Sequence, residues 1–195
     1  MKKVVLLSGG LDSTTALYQA LKEGHEVRSL AVNYGQRHNR ELDAAWEISS
    51  SVYNQFQNYK NHKQVDAPGL RSVLRGSYLT DDVSPSLVVV PNRNMILLSI
   101  GIAHAISMGS DSVVFSCHMD DTRDFPDCGQ SFVDAMRKAT DIEIETPFIE
   151  MTKADIAKKA NQHGVPVDLT WTCYAGEREP CGECLSCKSR VVCHE

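Results

Sequence analysis

An apolar run that breaks at two glycines constrains this chain more than any other stretch. Val4-Val5-Leu6-Leu7 carries β-branched residues and no charge, the pattern of a strand buried in a parallel sheet. Thr15 to Leu21 has helical spacing and is closed by Gly24. Between them lies Ser8-Gly9-Gly10-Leu11-Asp12-Ser13-Thr14. Paired glycines let the backbone turn sharply and approach a ligand with no Cβ in the way, and Ser13 and Thr14 offer hydroxyls to cap the helix. A loop of this kind gathers N–H donors at the positive end of a helix, which suits phosphate. It is neither a Walker A motif, since no lysine follows the second glycine at the required place, nor Gly-x-Gly-x-x-Gly.

The same alternation continues. Glu26 to Asn33 reads as a second strand ended by Tyr34-Gly35, and Gln36-Arg37-His38 opens a helix running to Val52 with Leu42, Ala45, Trp46 and Ser49 on its core face. A third strand ends near Val65, a short helix is expected at Leu70 to Leu74, and 75–87 reads as irregular and mobile. Asn92 is placed to cap a helix from Met95 to Ile106 that is apolar nearly all round and so expected to be buried, His104 included. Arg93 and Asn94 at its start can grip an anionic or planar ligand.

Asp111 to Cys117 and Glu143 to Ile149 read as further strands. After the first of these come His118 and four carboxylates, Asp120, Asp121, Asp124 and Asp127, a polar stretch that either caps helices, as expected of Asp127 and Thr122, or holds Mg²⁺ with ATP or the edge of a base. Phe132, Met136 and Ala139 form a helix face, and Thr152-x-x-Asp155 resembles a capping box for a helix ended by Gly164. Lys153 sits in its first turn, where a cation opposes the helix dipole unless it answers an anion. Alternating strands and helices predict an α/β fold, a Rossmann-like doubly wound parallel five-stranded sheet over residues 1–168. Residues 8–14, 34–38 and 117–124 then share one edge of that sheet, where ligands bind.

Residues 169–195 are expected to form a small C-terminal element packed on the same domain. Cys173, Cys181, Cys184 and Cys187 place four thiols within fifteen residues, with Gly182 able to relax the turn between them. Zinc takes four tetrahedral thiolates in closed structural sites, and an iron–sulfur cluster is the alternative. Cys117, Cys128 and Cys193 are left over as packed or incidental thiols. The apolar run after Met1 is too short for a signal peptide and no stretch approaches a membrane span, so a cytoplasmic location with reduced thiols is expected. The net charge of −5 disfavours non-specific binding to nucleic acid.

The loop at 8–13 resembles the pyrophosphate loop of the PP-loop ATP pyrophosphatases. Together with 34–38, Val90-Pro91-Asn92-Arg93-Asn94, Phe125-Pro126-Asp127-Cys128, Thr152-Lys153-Ala154-Asp155, 169–174 and the cysteines at 181–187, it closely resembles the 7-cyano-7-deazaguanine synthase family, from Val4 to Cys187. That resemblance implies an ATP-dependent ligase acting on 7-carboxy-7-deazaguanine, ammonia and ATP in queuosine-precursor synthesis, and a homodimer without nucleic-acid or membrane partners. It implies that Ser8, Gly9, Gly10, Leu11, Asp12, Ser13, Thr14 and Thr15 hold pyrophosphate, with Asp12 helping to place Mg²⁺. Asp12, Ser13, Arg93 and Lys153 would serve catalysis. Tyr34, Gln36, Arg37, His38, Arg93, Asn94, His118, Asp121 and Asp127 would bind the substrate, and Cys173, Cys181, Cys184 and Cys187 would ligate Zn²⁺. Competing readings are another PP-loop enzyme, such as a tRNA-modifying ligase or sulfurtransferase, and a non-enzymatic zinc module.

Overall fold

The computed structural model describes residues 1–192; Cys193 lies outside them. The elements run β1 (Lys2–Leu6), α1 (Leu11–Lys22), β2 (Glu26–Asn33), α2 (Arg40–Gln55), β3 (Tyr59–Asp66), α3 (Arg93–Ser107), β4 (Ser112–Val114), α4 (Gln130–Lys138), β5 (Glu143–Glu145), α5 (Lys153–His163) and α6 (Leu185–Val192). The five strands form one sheet in the order β3-β2-β1-β4-β5, and every pairing is parallel. Chain order reverses direction beside β1. The carboxyl end of β1 therefore opens onto a crevice between diverging crossovers.

Alternating residues of β1 and Leu7 just after it feed two cores. Val5 and Leu7 pack with Leu17, Tyr18, Ile48, Phe148 and Ile156 beneath α1, α2 and α5, whereas Val4 packs with Leu98, Val113, Val133 and Ile144 beneath α3 and α4. Both faces of the sheet are thus covered, which explains why Val4-Val5-Leu6-Leu7 reads as a continuous apolar run. β4 and β5 are only three residues long, shorter than their apolar stretches suggested.

Several side chains depart from the sequence reading. Trp46 is 61% exposed, because Leu42, Ala45, Ile48 and Val52 already supply the face of α2 that meets the sheet. Its ring instead stands edge-on to His62 at the surface, with centroids 5.9 Å apart. α3 buries only Asn94, Leu98, Gly101 and Ala105 and exposes Met95 and Ile106, so an all-apolar helix here is half covered. His104 is half-buried and its Nε2 has no partner. The Thr152–Asp155 capping box is present in both directions, and Gly164 ends α5 in the left-handed region.

Residues 75–87 are tied down from two sides. Arg37 donates to the carbonyls of Tyr78 and Asp81 at 3.0 and 2.9 Å, and Arg71 donates to that of Thr80. Leu79 and Thr80 are buried.

Gly101 sets the distance between α3 and the sheet, since a Cβ there would lie 2.9 Å from Leu6 Cδ2 and 3.3 Å from Val113 Cγ1. Gly101→Val should destabilise the protein by about 1–3 kcal/mol through overpacking. Exposed Ser99→Ala on the same helix should stay within about 0.5 kcal/mol. Chemical denaturation of the pair checks this, and equal stability would mean that α3 does not press on β1.

Candidate active site

The loop after β1 is built by close approach. Gly9 has φ +84° and a Cβ there would fall 2.1 Å from the Glu41 carbonyl oxygen, so the loop lies directly against the start of α2. Its other side is held by Trp171, whose N–H donates to the Gly9 carbonyl at 2.9 Å. Gly10 rather than Ser13 or Thr14 is the N-cap of α1. The Ser13 and Thr14 hydroxyls donate back to the Gly10 carbonyl, at 3.2 and 2.7 Å, and Thr15 donates to that of Leu11. This frees the first N–H groups of α1 from side-chain caps and leaves them as orphan donors at a positive helix end.

A cleft of about 260 Å³ opens there, with Ser8, Gly10, Leu11, Asp12 and Ser13 in its wall. Thr14 and Thr15 are fully buried behind it. Their hydroxyls donate to the helix backbone, at the Gly10 and Leu11 carbonyls.

Lys153 reaches the loop from the far end of the chain. Its Nζ lies 2.5 Å from Asp12 Oδ2. The backbone N–H of Lys153 donates to Asp120, so the acidic stretch caps α5 and fixes the lysine's base. Buried His118 places Nε2 3.1 Å from Asp121 and 3.7 Å from Asp12. Burial raises the Asp121 carboxyl above its ordinary value, with His118 opposing the rise and Asp12 adding to it. Asp12 Oδ1 and His118 Nδ1 are buried without partners.

The segment after β2 divides. Tyr34 and His38 line the cleft, but Gln36 and Arg37 do not. Gln36 is buried behind the wall, accepting from Tyr34 N and donating to Glu41. Arg37 turns away to cover the Tyr78 ring, its carbon 4.6 Å from the centroid, and pairs with Asp82. Both were expected at the substrate, and both instead hold the local backbone.

Asn92 opens α3 in the left-handed region without a side-chain cap, so its expected capping role is also corrected. The cap comes from a distance: Asp127 accepts from Asn94 N at 3.0 Å and from Asn94 Nδ2 through its carbonyl. Asp127 is absent from the cleft wall, whereas Arg93 and Asn94 belong to it. Arg93 donates to Tyr34 OH at 3.4 Å and keeps a buried Nε without a partner.

Sequence reading passed over Glu41, Trp171, Thr172, Tyr174 and Ser186, which also line the cleft. Only their neighbourhood to recognised motifs could have marked them. Cys117 and Cys128 are in the wall too, and burial pushes both thiols up to about 12.

The four tail cysteines come together with ligand atoms within 4.8 Å of one another. A tetrahedral ion with metal–sulfur bonds near 2.3 Å sets sulfurs about 3.8 Å apart, so the set fits zinc with little contraction. Backbone N–H groups of Cys181, Cys184 and Cys187 point at the preceding cysteine sulfurs at 3.3–3.4 Å. Hydrogen bonds from the Cys184 and Glu183 backbone pull the Cys181 thiol down to about 6, favouring a thiolate. Gly182 makes the turn at φ +73°. Tyr174 and Ser186 sit next to Cys173 and Cys187, so the knuckle is also a wall of the cleft.

Cys184→Ser should lose bound metal and lower the melting temperature together, as read by elemental analysis and calorimetry. Wild-type loading should fall on acidification, because protons compete for the thiolates. A stable, metal-free variant would rule out a structural metal.

A family model described as "Queuosine biosynthesis protein QueC" matches residues 2–195. A relative from Pseudoalteromonas atlantica, named 7-cyano-7-deazaguanine synthase, is 39% identical over 97% of this chain and 92% of its own length. One from Archaeoglobus fulgidus with the same name is 37% identical over 98% of this chain and 84% of its own. Among solved structures, a 4-thiouridine synthetase in complex with RNA and bound ATP has a similar fold, with a TM-score of 0.61 at 16% identity, covering 99% of this chain and 49% of that one. Its likeness concerns the fold alone. The arrangement of loop, cleft and cysteine knuckle is thus found in a chain that belongs to the queuosine biosynthesis protein QueC family.

Proposed function

We propose that this chain is an ATP-dependent ligase that converts 7-carboxy-7-deazaguanine and ammonia into 7-cyano-7-deazaguanine, the nitrile preQ0 of queuosine biosynthesis. The observation that carries the reading is the meeting of Asp12 and Lys153 at a phosphate-type loop, in a chain 39% identical to a relative named for that product. ATP would enter with its phosphates over Ser8, Gly10, Leu11, Asp12 and Ser13. The apolar strip of Leu6, Leu30, Ala31, Val32 and Leu97 suits one face of a purine.

The substrate carboxylate attacks the α-phosphorus and pyrophosphate leaves, giving an acyl adenylate. Ammonia then displaces AMP to form the amide. A second ATP takes up the amide oxygen in the same way, and departure of that oxygen with AMP leaves the nitrile, the nitrogen having shed its protons.

Lys153 and the helix end stabilise charge on the leaving pyrophosphate. Arg93 is placed to orient the substrate carboxylate, and Asp12 would hold Mg²⁺, which supplies further charge neutralisation when bound. Tyr34, His38 and Asp121 complete the substrate side, with His118 outside the cleft wall and held against Asp121. No thiolate is required, and thiols as suppressed as those of Cys117 and Cys128 speak against a sulfurtransferase.

The four cysteines are read as a structural zinc site in an element, 169–195, packed on the α/β domain of 1–168. The contact of Arg190 with the Val167 carbonyl and the bond from Trp171 N–H to the Gly9 carbonyl support that packing. The exposed apolar residues Met95 and Ile106 of α3 favour a homodimer. No described helix is long and apolar enough to cross a membrane, which accords with a cytoplasmic enzyme of small-molecule substrates.

Incubation with 7-carboxy-7-deazaguanine, ATP, Mg²⁺ and ammonium should yield the nitrile and two AMP per product. Asp12→Ala and Lys153→Met should keep fold and metal but lose at least about 100-fold in turnover. AMP release without amide or nitrile would discard the assigned substrate, and full activity of both variants would discard the assigned roles.

A further inference from the structure

Glu41 is a cleft residue that no motif in the sequence singled out. It lies in the first turn of α2, where the helix dipole favours its charge. Its carboxylate is fixed at both oxygens: Gln36 Nε2 donates to Oε1 at 2.9 Å, and His38 Nε2 stands 3.0 Å from Oε2. Gln36 and His38 are themselves buried, at 2% and 4% exposure, so the carboxylate is held by a rigid support rather than by solvent. Its backbone is equally fixed, pressed against Gly9.

The three acidic residues of the cleft wall differ in their partners. Asp12 is engaged by Lys153 at the phosphate loop, and Asp121 by His118 on the β4 side. Glu41 is held by hydrogen bonds from Gln36 and a histidine rather than by a direct ion pair with a lysine or arginine, beside aromatic Tyr34 and Tyr174 and close enough to Arg93 for the two charges to act on each other. The Tyr174 ring stands edge-on to His38, with centroids 5.9 Å apart. Two buried polar atoms of these neighbours, His38 Nδ1 and Arg93 Nε, have no partner.

This cleft must hold two purine-like rings and keep them apart. Adenine presents an acceptor at N1, which a carboxylate repels. A deazaguanine presents N1–H and the 2-amino group side by side, two parallel donors matching the two oxygens of one carboxylate. Each Glu41 oxygen retains an acceptor lone pair after bonding its support. We infer that Glu41 is the specificity-determining residue of the substrate half of the cleft, accepting N1–H and the 2-amino group of the deazaguanine ring, with Gln36 and His38 as its positioning residues. The inference rests on the substrate class proposed above. Gln36 thereby regains a part in recognition, one step removed from the ligand.

The test compares 7-carboxy-7-deazaguanine with its 2-deamino analogue, 7-carboxy-7-deazahypoxanthine, in wild-type protein and in Glu41→Gln. Wild type should prefer the amino substrate by roughly 10- to 100-fold in kcat/KM, as expected for a good bidentate pair. Glu41→Gln should lose about that factor on the amino substrate and less than about threefold on the analogue, with the KM for ATP unchanged. An equal loss on both substrates would make Glu41 merely structural and overturn the inference. Wild-type indifference to the 2-amino group would overturn it without reference to any variant, even if Glu41→Gln fails to fold. If wild type turns over neither compound, the proposed function falls first and this inference with it; nitrile formation without discrimination removes this inference alone.

Discussion

The contact between Gly9 and the first turn of α2 is the constraint on which the rest of the site depends. With 2.1 Å between a hypothetical Cβ and the Glu41 carbonyl, only glycine lets the loop after β1 lie flat on α2. That seating aligns the start of α1 with the mouth of the cleft. It also joins the phosphate end to Glu41 and His38, so the two halves of the site are positioned by one backbone contact. Trp171 closes the arrangement from the other side through the Gly9 carbonyl. A second such approach, Gly176 at φ +75° with 2.6 Å between its hypothetical Cβ and the Arg37 carbonyl, seats the cysteine-bearing segment on the loop after β2.

Much of the fold was legible because it rests on local chemistry. The Ser8 to Ser13 loop, the span Glu26–Asn33, the Thr152–Asp155 box and the four tail cysteines each carry their reason within a few residues. The convergence of 8–14, 34–38 and 117–124 followed from parallel topology. Side-chain direction was not legible in the same way. Gln36, Arg37 and His38 are adjacent in sequence, yet one is buried behind the wall, one leaves for Tyr78, and one enters the cleft. Only tertiary partners, above all Glu41 and the carbonyls of 78–81, decide between those outcomes.

Helix capping shows the same limit. Local spacing gives the cap of α3 to Asn92 and lets Asp127 cap a helix near it in sequence, whereas the carboxylate of Asp127 caps α3 from 33 residues away. The alternation of acidic residues at 120–127 hid two duties, capping α5 through Asp120 and α3 through Asp127, beside one group in the cleft, Asp121. Trp46 is hydrophobic yet exposed. Its helix had already filled its inner stripe with Leu42, Ala45, Ile48 and Val52.

The sheet described above ends in two unlike margins, β3 and β5. An open margin offers unpaired peptide groups to any passing extended chain and is a seed for fibrous self-association. Here β5 gives only three residues to such pairing, too few to template a partner. β3 is longer, but Lys60 and Lys63 stand exposed along it. Their like charges oppose edge-to-edge association of two copies. A sheet whose interior strands are apolar on both faces thus guards itself by brevity at one margin and by repulsion at the other.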